Sequence, residues 1–176
     1  LALDKVVDRK PQLLVSGINH GSNASINVLY SGTMSAAVEG AIDGLNAIGF
    51  SLCDYSFEAD FEASKTYVRK IAKNVLLHGL PKDTLLNVNV PNVQKKDIKG
   101  IKICRQARAK WVEEFDERRD PNGRKYFWLT GQFSLLDHDE KTDEWSLKND
   151  YVSVVPVQFD LTAYNALKTL ESWDWT

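Results

Sequence analysis

The stretch Leu13-Leu14-Val15-Ser16-Gly17-Ile18-Asn19-His20-Gly21-Ser22-Asn23, with Tyr30-Ser31-Gly32-Thr33 after it, decides the fold. It opens on a short apolar run that follows Pro11, which favours a buried parallel strand. Beyond Thr33 the apolar residues recur at helical spacing, at Met34, Ala37, Val38 and Ile42. The sequence therefore predicts a strand, then a polar loop at its carboxyl end, then the start of a helix.

The predicted helix start, Ser31-Gly32-Thr33, is a candidate phosphate site. Ligands of open α/β sheets bind at the carboxyl edge of the strands, where a helix N-terminus offers unpaired N–H groups and the positive end of its dipole. Ser31 or Thr33 can act as the N-cap, and Gly32 lets a phosphate approach the backbone. An ordinary helix cap has the same residue types, so the pattern alone leaves both interpretations open.

Asn19, in the polar loop, is a candidate metal ligand. Its side-chain carbonyl is a hard oxygen of the kind that Mg²⁺ and Mn²⁺ prefer. Asparagine beside glycine is also a common turn residue, because it tolerates left-handed backbone. The residue type and its position are compatible with either role.

The runs SGINHGSN and YSGTMSAAVEG resemble the signature of the SurE survival-protein family, whose members are metal-dependent nucleoside monophosphate phosphatases. The resemblance covers nearly the whole chain, because it continues at Asn87–Pro91, Arg118–Gly131 and Thr142–Thr162. Together with the alternating strand and helix patterns, it predicts an α/β fold. We expect a Rossmann-like three-layer sandwich with a mainly parallel sheet, lacking its opening strands, plus a protruding β-hairpin and a C-terminal helix.

The resemblance implies a role for each candidate. Asn19 matches the asparagine metal ligand of the family, and Ser31, Gly32 and Thr33 match its phosphate-contacting helix start. Asn23 matches a further asparagine of the active-site loop and is a fourth phosphate-binding candidate. The implied reaction is hydrolysis of nucleoside 5′- or 3′-monophosphates with Mg²⁺ or Mn²⁺ as cofactor.

The chain also departs from the family pattern. The principal metal ligands of the family are an adjacent pair of aspartates near the amino terminus and a serine farther on, and no Asp-Asp pair occurs in this chain. Ser25-Ile26-Asn27 stands where family members usually carry aspartate. We expect an upstream segment to supply the aspartates. The alternatives are a non-catalytic oligomerising anion-binding module, a broader acid phosphatase or exopolyphosphatase, and, more weakly, a dinucleotide-binding domain.

Composition limits the classes of partner. With 22 Lys+Arg against 24 Asp+Glu the net charge is −2, which argues against binding of nucleic acid polymers. No apolar run approaches the roughly 18 residues of a membrane span. Cys53 and Cys104 each lie at or beside an apolar run and are predicted to be buried free thiols, which favours a cytoplasmic protein.

The predicted organisation has three parts. Residues 1–104 form a partial Rossmann-like core, 105–148 a protruding hairpin and loop, and 149–176 the last strand and a C-terminal helix. The hairpin turns at Asp120-Pro121-Asn122-Gly123, and its aromatic residues need a partner surface. By resemblance it is an oligomerisation arm, so we expect a homodimer or homotetramer built through the hairpin and the C-terminal helix.

Three further polar motifs are predicted to have structural roles rather than catalytic or metal-binding ones. Asn87 and Asn89 share one face of a strand, where such asparagines usually satisfy backbone groups. Asp137-His138-Asp139 suggests a metal site, but it is predicted to be a solvated loop because alternate residues of an extended segment point to opposite faces. Thr142-Asp143 matches a family motif and is expected in a loop before the last strand.

Overall fold

The structure, a computed structural model, describes residues 1–176. Its strands are β1 (Leu13–His20), β2 (Asn46–Leu52), β3 (Thr84–Val90), β4 (Gly100–Ile103), β5 (Ala109–Arg119), β6 (Lys125–Leu135) and β7 (Tyr151–Gln158). Its α-helices are α1 (Gly32–Ile42), α2 (Glu62–His78), α3 (Asp143–Lys148) and α4 (Tyr164–Glu171). A π-helical turn, Ala2–Val6, and a 3-10 helix, Ser25–Tyr30, complete the regular structure.

The main sheet has five strands in the order β1-β2-β3-β7-β4. The pairs β1-β2, β2-β3 and β4-β7 are parallel, whereas β3 and β7 are antiparallel. The crossover from β1 through α1 to β2, and the next through α2 to β3, place the carboxyl ends of three strands at one edge. The polar loop that follows β1 lies at this edge.

Helices cover the sheet on both faces. Ile71 and Val75 of α2 pack in a core with Ile48, Phe50 and Val88. The other face carries a smaller core of Met34, Ala37 and Ala41 from α1 with Ala47 and Leu85 from the strands. The fold is therefore the predicted three-layer α/β sandwich with a mainly parallel sheet.

Close packing of α1 on β2 depends on Gly49. A Cβ at this position would collide with the sulfur of Met34, which is only 1% exposed. The absence of a side chain lets α1 approach the sheet, and so fixes the height of its amino terminus above the sheet edge.

Strands β5 and β6 pair only with each other and form a long antiparallel hairpin. Its outer part is exposed on both faces, with Phe115, Phe127, Trp128 and Leu129 each more than half accessible. Helix α4 has no buried residue, and Trp173 and Trp175 pack on each other with ring centroids 5.5 Å apart. The predicted division into core, arm and carboxyl-terminal part stays a prediction.

The predicted end of the first strand was wrong. Strand β1 extends to His20, since Asn19 and His20 pair with Ser51 and Leu52 after a register shift. The polar loop is therefore shorter than expected, and Asn19 lies in the strand.

The prediction of free thiols was confirmed. Both cysteines are free thiols, and burial raises the pKa of Cys53 to about 12. Pro156 lies beyond Val154, the last residue of β7 that pairs with β4, so β7 is an edge strand at that point. No helix of the structure has both the length and the apolar character needed to cross a membrane.

Candidate active site

Three buried polar side chains line the α1 face of the sheet at its carboxyl edge. Ser51 and Asn89 are 0% exposed and Asn87 is 2% exposed. They belong to the strand face whose other members, Ala47 and Leu85, pack against α1. The face therefore changes from apolar under α1 to polar at the edge. We call Ser51, Asn87 and Asn89 the polar platform.

Asn23 is locked onto the polar platform by three hydrogen bonds. Its backbone N–H donates to Asn89 Oδ1 at 2.8 Å, and its Nδ2 donates to Ser51 Oγ at 2.7 Å. Its carbonyl oxygen accepts from Asn87 Nδ2 at 2.8 Å. Asn89 Nδ2 also donates to Asn87 Oδ1 at 2.9 Å, which joins the platform into one network. A network of this kind rigidifies the loop that it holds.

Asn19 lies at the same edge. It is the ladder partner of Ser51, the residue that Asn23 also contacts. Its Nδ2 donates to the carbonyl oxygen of Gly21 at 3.0 Å, and no protein donor contacts its Oδ1. The amide is thus oriented by its nitrogen, and its oxygen has no partner within the protein. The half-buried Asn19 fits the part of a neutral oxygen ligand.

The residues of this chain do not assemble a complete metal site. No group of three or more His, Cys, Asp or Glu side chains is placed to hold a metal ion. Asp137 and Asp139 instead form ion pairs with Arg105, and the pKa of Asp137 is lowered to about 2 by that guanidinium. Residues 136–139 lie outside the helices and strands, as expected for the loop predicted at Asp137-His138-Asp139.

The amino terminus of α1 provides backbone N–H donors. Ser31 is the N-cap, and its Oγ accepts from Met34 N at 3.0 Å. Gly32 is exposed with open space around its Cα, and Thr33 is half-buried beside it. The cap satisfies Met34 N, while the N–H groups of Gly32 and Thr33 have no partner within the helix. This end of α1 is suited to an anion.

The structure brings only some of the predicted residues into direct contact. Asn19 and Asn23 meet through Ser51, but no hydrogen bond joins either of them to Ser31, Gly32 or Thr33. The 3-10 helix Ser25–Tyr30 connects the two groups along the chain. The helix start is therefore positioned by this connection and by the packing of α1.

Asp143 was not among the predicted site residues, yet it anchors the start of this connection. Its side chain is fully buried and accepts from Ser25 N at 2.7 Å and from Ala107 N at 2.9 Å. Burial raises its pKa, opposed by these backbone donors. Asp143 therefore ties the loop after Asn23 to the residues just before the hairpin.

The expected loop at Thr142-Asp143 was also wrong. Thr142 caps α3, with its Oγ1 accepting from Trp145 N at 3.2 Å. Asp143 occupies the first turn of that helix, and its side chain is fully buried. The sequence signal was present, because Thr followed by two acidic residues is typical of a helix start.

Replacing Ser31 by alanine tests the cap. We expect the variant to lose about 1 kcal/mol of unfolding free energy, because Met34 N loses its acceptor in a buried setting. Urea denaturation measures this loss. Ser35→Ala is the matched control, because Ser35 Oγ only donates to the carbonyl oxygen of Ser31, which also accepts from Ser35 N, so its loss leaves no buried N–H unpaired. Equal destabilisation of the two variants would contradict the assigned cap.

The fold and the site define an α/β domain with a capped helix start beside a rigid asparagine network. The model of the survival protein SurE family matches residues 1–113. The chain belongs to this family. The resemblance inferred from the motifs is thereby confirmed.

Individual relatives agree with this assignment. The chain is 59% identical to a 5′-nucleotidase SurE of Flavobacterium psychrophilum, covering 99% of this chain and 68% of the relative. It is 61% identical to a 5′-nucleotidase SurE of Cytophaga hutchinsonii, covering 95% and 64%. The solved structure of a SurE protein from Aquifex aeolicus superposes with a TM-score of 0.79 at 40% identity, covering 93% of this chain and 66% of that one. The chain thus spans about two thirds of the length of these proteins.

Proposed function

We propose that the full-length protein is a metal-dependent phosphomonoesterase that hydrolyses nucleoside 5′- or 3′-monophosphates to nucleoside and phosphate. The observation that carries the proposal is the loop of Asn19 and Asn23, held on the polar platform at the carboxyl edge of the sheet and leading to the capped start of α1. The names of the curated relatives, 5′-nucleotidase SurE, supply the substrate class.

The helix start holds the phosphate in this proposal. The N–H groups of Gly32 and Thr33 bind phosphate oxygens, and the dipole of α1 favours their charge. Ser31 fixes the first turn through its bond to Met34 N. Because these donors are in place before the substrate arrives, little reorganisation accompanies charge development in the transition state.

Asn19 is the proposed metal ligand within this chain. The bond from its Nδ2 to Gly21 orients the amide, and its free Oδ1 is the donor atom. A divalent cation, Mg²⁺ or Mn²⁺, would supply charge neutralisation at the phosphoryl group and a water of lowered pKa. By the family resemblance, the other metal ligands are an adjacent aspartate pair and a serine, which do not lie in this chain. Asn23 acts indirectly, since both its backbone N–H and its side-chain Nδ2 are occupied by the platform.

The direct test uses the full-length protein. Phosphate release from nucleoside 5′- and 3′-monophosphates is measured with Mg²⁺, with Mn²⁺ and after removal of metal by a chelator. We expect release that requires metal and returns when metal is restored. Tight phosphate binding without turnover under every metal condition would instead favour the non-catalytic anion-binding module.

Asn19→Ala is the matching variant. We expect it to lower metal-dependent kcat/KM at least tenfold, about 1.4 kcal/mol of transition-state stabilisation. Raising the metal concentration should recover part of the loss if Asn19 is a ligand. Asn74→Ala, on the exposed face of α2, is the control and should keep wild-type activity. Unchanged turnover of Asn19→Ala at limiting metal would rule out its role.

The assembly and the compartment belong to the same proposal. The exposed aromatic side chains of the β5-β6 hairpin and the unburied helix α4 support a homodimer or homotetramer formed through these two elements. Free thiols support a cytoplasmic location. Mass measurement of the native protein tests the assembly.

A further inference from the structure

Both sides of the indole of Trp111, near the base of the hairpin, border open space. A cleft of about 270 Å³ lies between the hairpin and the sheet edge, lined by Ser22, Asn27, Cys53, Tyr55, Trp111, Phe133, Glu144 and Leu147. A second, larger space of about 620 Å³ lies on the side of Tyr30 and Leu129 and shares only Asn27 and Trp111 with it. We call the first of these the aromatic slot.

We propose that the aromatic slot binds the nucleobase of the substrate. This inference rests on the proposed function and names the part of the substrate that the phosphate site does not hold. The slot has the composition of a small-molecule site, with three aromatic rings and a few polar groups at defined positions.

The position of the slot fits a substrate that extends from the phosphate site. Ser22 belongs to the loop directly after Asn19, and Asn27 belongs to the 3-10 helix that leads to Ser31. The slot is thus bordered by both chain segments that carry the proposed metal and phosphate residues. A sugar joins the base to the phosphate in a nucleotide, so the base and the phosphate must bind at neighbouring sites such as these.

The Trp111 ring is fixed in orientation. Its Nε1 donates to Asn27 Oδ1 at 2.9 Å, and its centroid lies 5.6 Å from that of Phe133 in an edge-to-face arrangement. The side chain is still 44% exposed. An oriented, partly exposed indole is a stacking surface for a planar base, and it costs little entropy to order.

Tyr55 provides a second ring. It packs directly on the backbone of Gly21, where a Cβ would collide with the ring, and φ at Gly21 is +90°. The tyrosine is nevertheless 74% exposed. Its position therefore depends on Gly21, in the same loop as Ser22.

The polar groups of the slot suit the edge of a base and not a phosphate. The bond from Trp111 uses Asn27 Oδ1 and leaves Asn27 Nδ2 as a donor. Glu144 is an acceptor, and no protein donor contacts its carboxyl group. Nucleobases carry ring nitrogens and carbonyls that accept, and ring or amino N–H groups that donate. No lysine or arginine lines the slot, so it offers no cationic side chain to a phosphate.

The test compares two substrates of the full-length protein that differ only in the base. Trp111→Leu is expected to lower kcat/KM for adenosine 5′-monophosphate about tenfold and to leave that for ribose 5-phosphate within about twofold. Trp128→Leu is the matched control, because Trp128 is an exposed tryptophan on the outer part of the same hairpin. An equal fall for both substrates, or none for either, would overturn the proposal.

Tyr55→Leu gives an independent result if Trp111→Leu does not fold, since Tyr55 is mostly exposed. It should show the same selective loss for the nucleotide. If wild-type protein hydrolyses neither substrate, the proposed function fails, and equilibrium dialysis of adenosine decides the slot alone. Binding that weakens several-fold in Trp111→Leu but not in Trp128→Leu supports the slot, and equal binding by all three proteins refutes it.

Discussion

Replacing Asp143 by alanine is expected to lower the free energy of unfolding by roughly 3 kcal/mol. The substitution leaves the buried N–H groups of Ser25 and Ala107 without their acceptor, at 2.7 and 2.9 Å in the native protein. Each unsatisfied buried donor costs about 1–3 kcal/mol. The desolvation that raises the pKa of Asp143 is relieved at the same time, so the net loss is smaller than the sum for two donors.

Urea denaturation of the full-length protein measures this loss, and hydrogen exchange localises it. The exchange rates of the Ser25 and Ala107 amides should rise in Asp143→Ala. The exchange rates of amides in the centre of β2 should change only as far as the global stability changes. Asp97→Ala is the control, because Asp97 is exposed and its carboxyl group makes no hydrogen bond. A loss below about 0.5 kcal/mol would show that Asp143 is not an anchor.

The same residue should affect catalysis through the loop that it holds. Ser25 is two residues from Asn23 and begins the 3-10 helix that leads to Ser31. Loosening Ser25 should therefore move the proposed phosphate-binding helix start relative to Asn19. Asp143 is a positioning residue, and Asp143→Asn, which keeps one acceptor oxygen, should retain more stability than Asp143→Ala.

The layered fold followed from local sequence patterns. The period of Met34, Ala37 and Val38 predicts α1, and the short apolar runs on either side predict parallel strands. The exact end of β1 could not be predicted from these patterns, because the pairing of Asn19 with Ser51 depends on a register shift between two strands. Such pairing is a tertiary property, which local periodicity does not encode.

The site was only partly predictable for a similar reason. Ser31 was predictable as a helix N-cap from its type and position. The metal-ligand role of Asn19 stays a proposal. Asp143 acts on Ser25 across more than a hundred residues of chain, and only folding brings the two together. Asn87 and Asn89 carried a usable signal, since polar residues alternate there within an apolar strand, but their partner Asn23 was not deducible from it.

Replacing Glu144 by glutamine is expected to stabilise the protein at neutral pH but not at acidic pH. Burial and the neighbouring Asp143 raise the pKa of Glu144 to about 7. In the unfolded chain this carboxyl group ionises near its ordinary pKa of 4.5. Between these two values the folded state binds more protons than the unfolded state, so wild-type stability falls as pH rises through this window.

The unfolding free energy gained in Glu144→Gln should increase as pH rises. It should be near zero at pH 4, where the carboxyl group is protonated in both states, and should reach a plateau of roughly 2 kcal/mol above pH 7 after allowance for partial solvent screening. Urea denaturation between pH 4 and pH 8 measures the curve. Glu140→Gln, an exposed glutamate nearby, should give a flat difference across the same range. A gain for Glu144→Gln that is equally large at pH 4 would contradict ionisation as its cause, because at that pH no buried charge is present to remove.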